Sequence, residues 1–177
     1  LPWFLVCLFF LGVGGANFGG RGRMPSYSEL MVLTDGDGEN RSYLGSEENF
    51  RILQDFEKRN LIVPVVGDFA GPKAIRAVGD YLKEHDAFVT AFYLSNVEQY
   101  LFQQNDDWSR FYRNVAALPV DSSGTFVRSV FNNMVFAAQS NGYNLRSNSV
   151  LSSIPDLLKA FSAGEIRTYN DVIQMSR

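Results

Sequence analysis

The chain has one cysteine, Cys7, and one histidine, His85. A single cysteine excludes an internal disulfide and any metal site built from cysteines. With a single histidine, any serine- or cysteine-based triad would have to run through His85. Basic charge is not in excess either. Sixteen Lys and Arg stand against 19 Asp and Glu, giving a formal net charge of −3. Such a chain carries no general positive field to hold a phosphate backbone, so no nucleic-acid partner is expected. No internal repeat and no low-complexity tract organises the sequence.

What is present suits a packed domain. The 177 residues make one domain, or part of a larger one, and 46% of them are hydrophobic. Fifteen phenylalanines point to a core built largely on aromatic rings. Residues 1–23 stand apart as an apolar and glycine-rich N-terminal segment. The run from Leu1 to Val13 is shorter than the ~20 residues of a membrane-spanning helix. Three readings fit it: a buried element of a domain whose start is missing, the apolar region of a signal peptide, or a membrane anchor. A signal peptide would need basic residues before the run, and none are present. Residues 24–177 read as a single α/β domain, the C-terminal part of a larger one. The expected location is the cytoplasm; the alternative is association with a membrane, or export, through Leu1 to Val13.

Local patterns give the element order. Pro25 suits a first helical turn, with Leu30, Met31 and Leu33 on one side. Ser46 is a good N-cap for a helix through Arg59, with Glu47 and Glu48 in the first turn and Lys58 in the last. Phe50, Leu53 and Phe56 supply its apolar side. Leu61 to Val66 is a continuous apolar run, as in a strand buried on both faces, although Pro64 removes one ladder donor. Pro72 opens a helix reaching Asp86, with Ile75, Val78 and Leu82 facing inward and Gly79 allowing close packing. Ala87 to Leu94 is a second strand, rich in aromatic residues. Asn96 caps the next helix, with Gln99 placed as in a capping box. Strand, helix, strand is a βαβ unit, whose strands must be parallel. Further along come a helix capped by Asp106 or Asp107, a short strand near Ala116 to Val120, a turn at Asp121 to Thr125 and a strand at Phe126 to Phe131. Residues 132 to 149 read as a loop. Two short helices end the chain. Ser152 or Ser153 caps the first, which stops at Gly164, and Thr168 caps the second.

Chemistry concentrates in two turns. The segment Gly67-Asp68-Phe69-Ala70-Gly71-Pro72 joins a strand to a helix, where backbone N–H groups and the positive helix end favour ligands. Its spacing matches neither phosphate-binding glycine motif, and Asp68 would repel a phosphate. A neutral or cationic ligand held by Asp68 fits better, and a plain connecting turn is the simplest reading. The second turn, Ser95-Asn96-Val97-Glu98, ends the neighbouring strand at the same sheet edge. Asp35, Asp37 and Glu39 resemble the start of a calcium loop, but Asn40 and Ser46 stand where Gly and Glu are required. They form a turn, and no metal site is expected. His85 ends a helix at the opposite edge and complements its dipole. Arg128 is either a surface residue of an edge strand or a group able to bind an acid.

A family resemblance rests on "SYLGSEENF", "RNLIVPVVGDFAGPKAIRAVGDYL", "VTAFYLSNVEQYLF" and "FYRNVAALPVDSSGTFVRSV". In these stretches the sequence resembles the C-terminal half of a family of uncharacterised bacterial Rossmann-like proteins. That family is similar to class I S-adenosylmethionine-dependent methyltransferases. The resemblance implies a partial Rossmann-like three-layer sandwich, with parallel strands joined by crossover helices. It also implies a methyltransferase-like activity using S-adenosylmethionine on a small molecule. Gly67, Asp68, Phe69, Gly71, Ser95, Asn96 and Glu98 would then line the substrate or cofactor site. Asp68 would accept hydrogen bonds from the methyl acceptor, and Gly67 and Gly71 would let backbone approach closely. The glycine loop and acidic strand end of the family's N-terminal half have no counterpart here. The alternative function is a non-catalytic binding module for another protein, exported or tethered to a membrane.

Overall fold

A computed structural model describes residues 27–43, 45–131 and 147–177. Leu1 to Val13 lies outside the described residues, as does most of the expected loop at 132–149. The chain divides into two compact units, residues 1–65 and 66–177.

The first unit holds two helices, α1 (Tyr27–Val32) and α2 (Glu47–Lys58). Ser46 caps α2 as its sequence demands, its hydroxyl accepting from the Asn49 amide at 3.1 Å. Asp35 organises the preceding turn. Its Oδ1 accepts from the amides of Asp37 and Glu39, each at 2.9 Å, and its Oδ2 accepts from Arg41. The carboxylate is thus spent on the chain itself, as expected of a turn rather than a calcium loop. No residue of α2 is buried, and Phe50 and Ile52 are exposed.

The expected strand at Leu61 to Val66 does not form. Apart from an isolated bridge at Ile62, the run is irregular, and Val66 is 96% exposed. Pro64 supplies no N–H to a ladder, and no strand pairs with this run among the described residues.

In the second unit, α3 (Ala74–Glu84) leads into β1 (Val89–Ser95). Pro72 falls before the helix, whose N-cap is Lys73. Ile75, Gly79 and Leu82 are its buried side, and a Cβ on Gly79 would lie 3.2 Å from Leu118. Two helices then follow, α4 (Val97–Leu101) and α5 (Asp107–Val115), before β2 (Val120–Phe131). β1 and β2 are parallel, so a β-helix-β crossover is present, but one step later in the chain than the apolar pattern suggests. β3 (Ser147–Ser153) runs antiparallel to β2, giving the strand order β1-β2-β3. The helices α6 (Ile154–Ser162) and α7 (Tyr169–Gln174) complete the unit, capped by Ser153 and Thr168. The Thr168 cap is a full capping box with Asp171.

Two local expectations are corrected. Ala116 to Leu118 turn back to the strand instead of forming one, and Asp121 to Thr125 lie inside β2. The second follows from a bulge. From Val89 to Ala91 on β1, the paired residues on β2 run from Val120 to Thr125. The extra residues fold over the Asp121 carboxylate, which accepts from the Ser123 amide at 2.8 Å. Gly124 sits where a Cβ would meet Val120 at 2.3 Å. The turn read from the sequence is real but is absorbed within one long strand.

Alternation along the strands separates two faces. Phe92 and Leu94 on β1, Phe126, Arg128 and Val130 on β2, and Val150 and Ser152 on β3 are buried. On the other face Tyr93, Val127 and Leu151 align across all three strands, and Tyr93 is 62% and Leu151 49% exposed. The architecture is mixed α/β, with a small sheet whose buried face is packed by helices. Phe69, Phe92, Phe111 and Phe126 form the aromatic core expected from composition, with ring centroids 5.6–6.5 Å apart. Because Phe111 is fully buried at the centre of this cluster, Phe111→Ala should cost about 3–5 kcal/mol. Urea unfolding monitored by circular dichroism checks it.

Candidate functional site at the end of strand β1

The sheet brings the two expected turns to different environments. At Gly67 to Pro72 the chain folds on itself. Asp68 Oδ1 accepts from the Ala70 amide at 2.9 Å, and the Asp68 carbonyl accepts from the Gly71 amide at 3.1 Å. Phe69 and Ala70 are buried, while Asp68 is exposed. The glycines have a packing reason. A Cβ on Gly67 would lie 2.2 Å from Ala74, and one on Gly71 would lie 3.0 Å from Asp68. The space beside both glycines is occupied by the chain's own atoms.

A clamp not read from the sequence holds this loop. Asn114 on α5 is buried, and its amide donates to the carbonyls of Phe69 at 3.0 Å and Gly71 at 2.8 Å. Its own carbonyl accepts from Arg76 Nε at 3.0 Å. Loop, α3 and α5 are therefore tied through one side chain. The only signal for it was a polar residue on the otherwise apolar inner face of a helix.

The second turn is more unusual. Ser95 closes β1 with a φ of +50°, and Asn96 follows as the N-cap of α4. The Asn96 side chain makes no cap hydrogen bond, although Gln99 N donates to its backbone carbonyl at 3.2 Å. The capping box expected here is therefore not formed. Ser95 Oγ and Asn96 Oδ1 lie 3.5 Å apart, and both residues are half-buried. Among the described residues the other positive-φ positions that are not glycine, Asn60 and Asp86, follow the ends of α2 and α3. There the left-handed conformation is the usual helix terminator. Ser95 ends a strand, where nothing in the secondary structure calls for it.

Glu98, expected to line the site, turns inward. It is 2% exposed and pairs with Arg128 of β2, which is fully buried. Arg128 donates to Glu98 through Nε and, at 3.1 Å, through Nη2, and its Nη1 donates to Ser152 Oγ on β3. Tyr112 Oη on α5 donates to the same carboxylate at 2.6 Å. The Arg128 guanidinium lies 4.6 Å from the Phe126 ring centroid. Arg128 does bind an acid, as one reading of the sequence held, but the acid is Glu98. The surface alternative is excluded by its burial. Burial, followed by the charge of Glu98, pushes the phenol of Tyr112 far above its ordinary range. The same two causes raise Tyr169 to about 12. The hydroxyl of Tyr169 is buried without a hydrogen-bond partner among the described residues.

The remaining candidates resolve simply. His85 caps α3, is exposed, donates from Nδ1 to the Tyr81 carbonyl at 2.8 Å and stacks on the Tyr81 ring. No group of acidic, histidine or cysteine side chains among the described residues could hold a metal. No described helix is long and apolar enough to cross a membrane. A surface hollow of about 630 Å³ lies along α2, lined by Glu47, Glu48, Arg51, Ile52, Asp55 and Phe56. None of the expected site residues lines it, and the Arg51–Glu47 ion pair spans it.

Taken together, these features define a mixed α/β domain with a buried ionic cluster behind a polar strand end. The chain belongs to the family described as a domain of unknown function, DUF7790, whose model matches residues 21–174. No curated protein matches the chain.

Two measurements probe the cluster. Glu98→Ala leaves Arg128 buried and unpaired and should cost about 3–5 kcal/mol, whereas Glu98→Leu with Arg128→Met should cost much less or nothing. Urea unfolding of the two variants decides. Tyr169 gives the second. Its folded pKa lies above its unfolded value of about 10, so its contribution to stability is complete below pH 10. That contribution is lost as pH rises through about 12. Absorbance titration near 295 nm should show a phenol titrating near pH 12, ahead of Tyr112, that disappears in Tyr169→Phe.

Proposed function

We propose that this chain is a Rossmann-like domain of the S-adenosylmethionine-dependent methyltransferase type, with a small-molecule site at the carboxyl end of β1. The observation that carries the reading is the Ser95-Asn96 turn. It lies where a parallel strand passes into a crossover helix, the place where ligands of open α/β sheets bind. Its backbone is held at a positive φ, and the Asn96 amide is not used as a helix cap. Conformations of that kind cluster at ligand sites. The antiparallel β3 beside a parallel pair is compatible with a partial doubly wound sheet, in which a third layer would cover the Tyr93 face.

The fit to the cofactor is confined to this edge. Gly67 and Gly71 are filled by Ala74 and Asp68, so they offer no cradle. Ser95, Asn96 and the exposed Asp68 carboxylate would contact bound groups, with Asp68 accepting from the methyl acceptor. S-adenosylmethionine supplies an electrophilic methyl group when bound. Glu98 acts behind the turn rather than on a ligand, and Phe69 supports the loop from the core. The cytoplasm suits such a domain.

The face with Tyr93, Val127 and Leu151, on which Tyr93 and Leu151 are exposed among the described residues, favours a second reading, a non-catalytic binding module. Calorimetric titration of the full-length protein with S-adenosylmethionine separates the two. Saturable heat, with affinity reduced about tenfold in Asn96→Ala through loss of about 1.4 kcal/mol, supports the first. A folded protein that gives no heat rules it out.

A further inference from the structure

Ser95 and Arg128 face each other in the β1-β2 register, and the register slips by one residue between Tyr93 and Ser95. Three residues beyond Ser95, Glu98 returns to Arg128 through two hydrogen bonds. The chain therefore closes a small circuit: Ser95 lies beside Arg128 through the sheet, and Glu98 reaches Arg128 through its side chain. Between the two ends sits the positive-φ turn. We propose that the buried Glu98–Arg128 pair is a latch that holds Ser95 in the left-handed conformation and so positions Ser95 and Asn96 at the end of β1.

The physical case rests on what each alternative lacks. A serine has no Cβ-free backbone and only a short side chain, so a left-handed φ is unfavourable for it by itself. Such conformations persist where the surroundings over-determine them. The surroundings here do not include a side-chain cap, because Asn96 makes none, nor a helix end, because Ser95 ends a strand. The 3.5 Å contact of Ser95 Oγ with Asn96 Oδ1 lies within the turn and anchors it to nothing else. α4 spans only Val97–Leu101, too short to fix its own start. What remains is Glu98, buried in its first turn and held by Arg128 from β2 and Tyr112 from α5. If Glu98 let go, α4 could rotate and Ser95 could relax to an ordinary extended conformation. The latch requires no bound ligand, so it stands whatever group the turn binds.

Ser95→Gly reads the latch directly, because glycine adopts a left-handed φ freely. In the parent protein it should raise the folding equilibrium constant by roughly threefold to tenfold. In the background of Glu98→Leu with Arg128→Met, where the turn has relaxed, the gain should fall below about twofold, near the usual limit of additivity. Amide exchange gives a second reading. The Gln99 and Phe102 amides, bonded to Asn96 and Glu98 carbonyls, should exchange at least about tenfold faster in that background. Amides of the β2-β3 ladder should not change. An equal glycine gain in both backgrounds, or unchanged exchange in α4, would overturn the proposal. Should the double variant not fold, Glu98→Met with Arg128→Leu, which also removes both hydrogen-bonding groups, carries the same two comparisons to the same decision.

Discussion

Everything in the second unit is arranged around one fully desolvated ion pair. Glu98 and Arg128 are both buried, and two charges removed from water are tolerable only when each is paired and hydrogen-bonded. The requirement is met by drawing in one group from each neighbouring element. α4 gives Glu98, β2 gives Arg128, α5 gives Tyr112 and β3 gives Ser152. Satisfying two charges has thereby fixed the relative placement of four elements. An apolar replacement of similar volume would fill the same space without specifying these directions. Buried pairs of this kind can often be replaced by apolar groups of similar volume at little cost in stability.

α5 is the second organiser, and it works on two sides at once. Tyr112 and Phe111 are neighbours in sequence yet serve different partners: the hydroxyl meets Glu98, and the phenyl ring fills the core between Phe69, Phe92 and Phe126. Asn114 then ties down the Phe69 and Gly71 carbonyls. These carbonyls belong to a loop with few ladder partners of its own, so a side-chain donor is the means of satisfying them. The loop at Gly67 and the turn at Ser95 are thus held from the same helix, one through an amide and the other through the Glu98 network.

Elements governed by local rules were legible in the sequence. Ser46, Ser153 and Thr168 cap where a hydroxyl before an apolar period should cap, and Gly164 terminates α6 with a φ of +74°. β1 was legible from its aromatic and β-branched content. The Leu61 to Val66 run misled because hydrophobicity signals burial without naming a partner strand, and Pro64 weighs against pairing. β3 was missed for the converse reason. Ser147-Asn148-Ser149 and Ser152-Ser153 look like loop, but an antiparallel partner supplies the ladder regardless of composition. Ser95, Asn96 and Glu98 lie close together in the sequence, but only Ser95 and Asn96 stay at the strand end, while Glu98 is buried. Their division of labour was not legible, because it depends on Arg128, thirty residues from Glu98 and opposite Ser95 only through the register.

That division has a consequence for reading polar strand ends in general. A carboxylate at the carboxyl edge of a sheet invites a ligand role, and Glu98 has the right residue type and place. Its burial and its three donors leave it committed to the protein. Chemistry at this edge must then be carried by groups that the scaffold leaves unspent. Asn96 makes no helix cap, and among the described residues its Oδ1 meets only Ser95 Oγ at 3.5 Å. A neutral amide can both donate and accept hydrogen bonds and carries no charge of its own. Such a group suits a neutral polar partner better than a phosphate, which calls for positive charge.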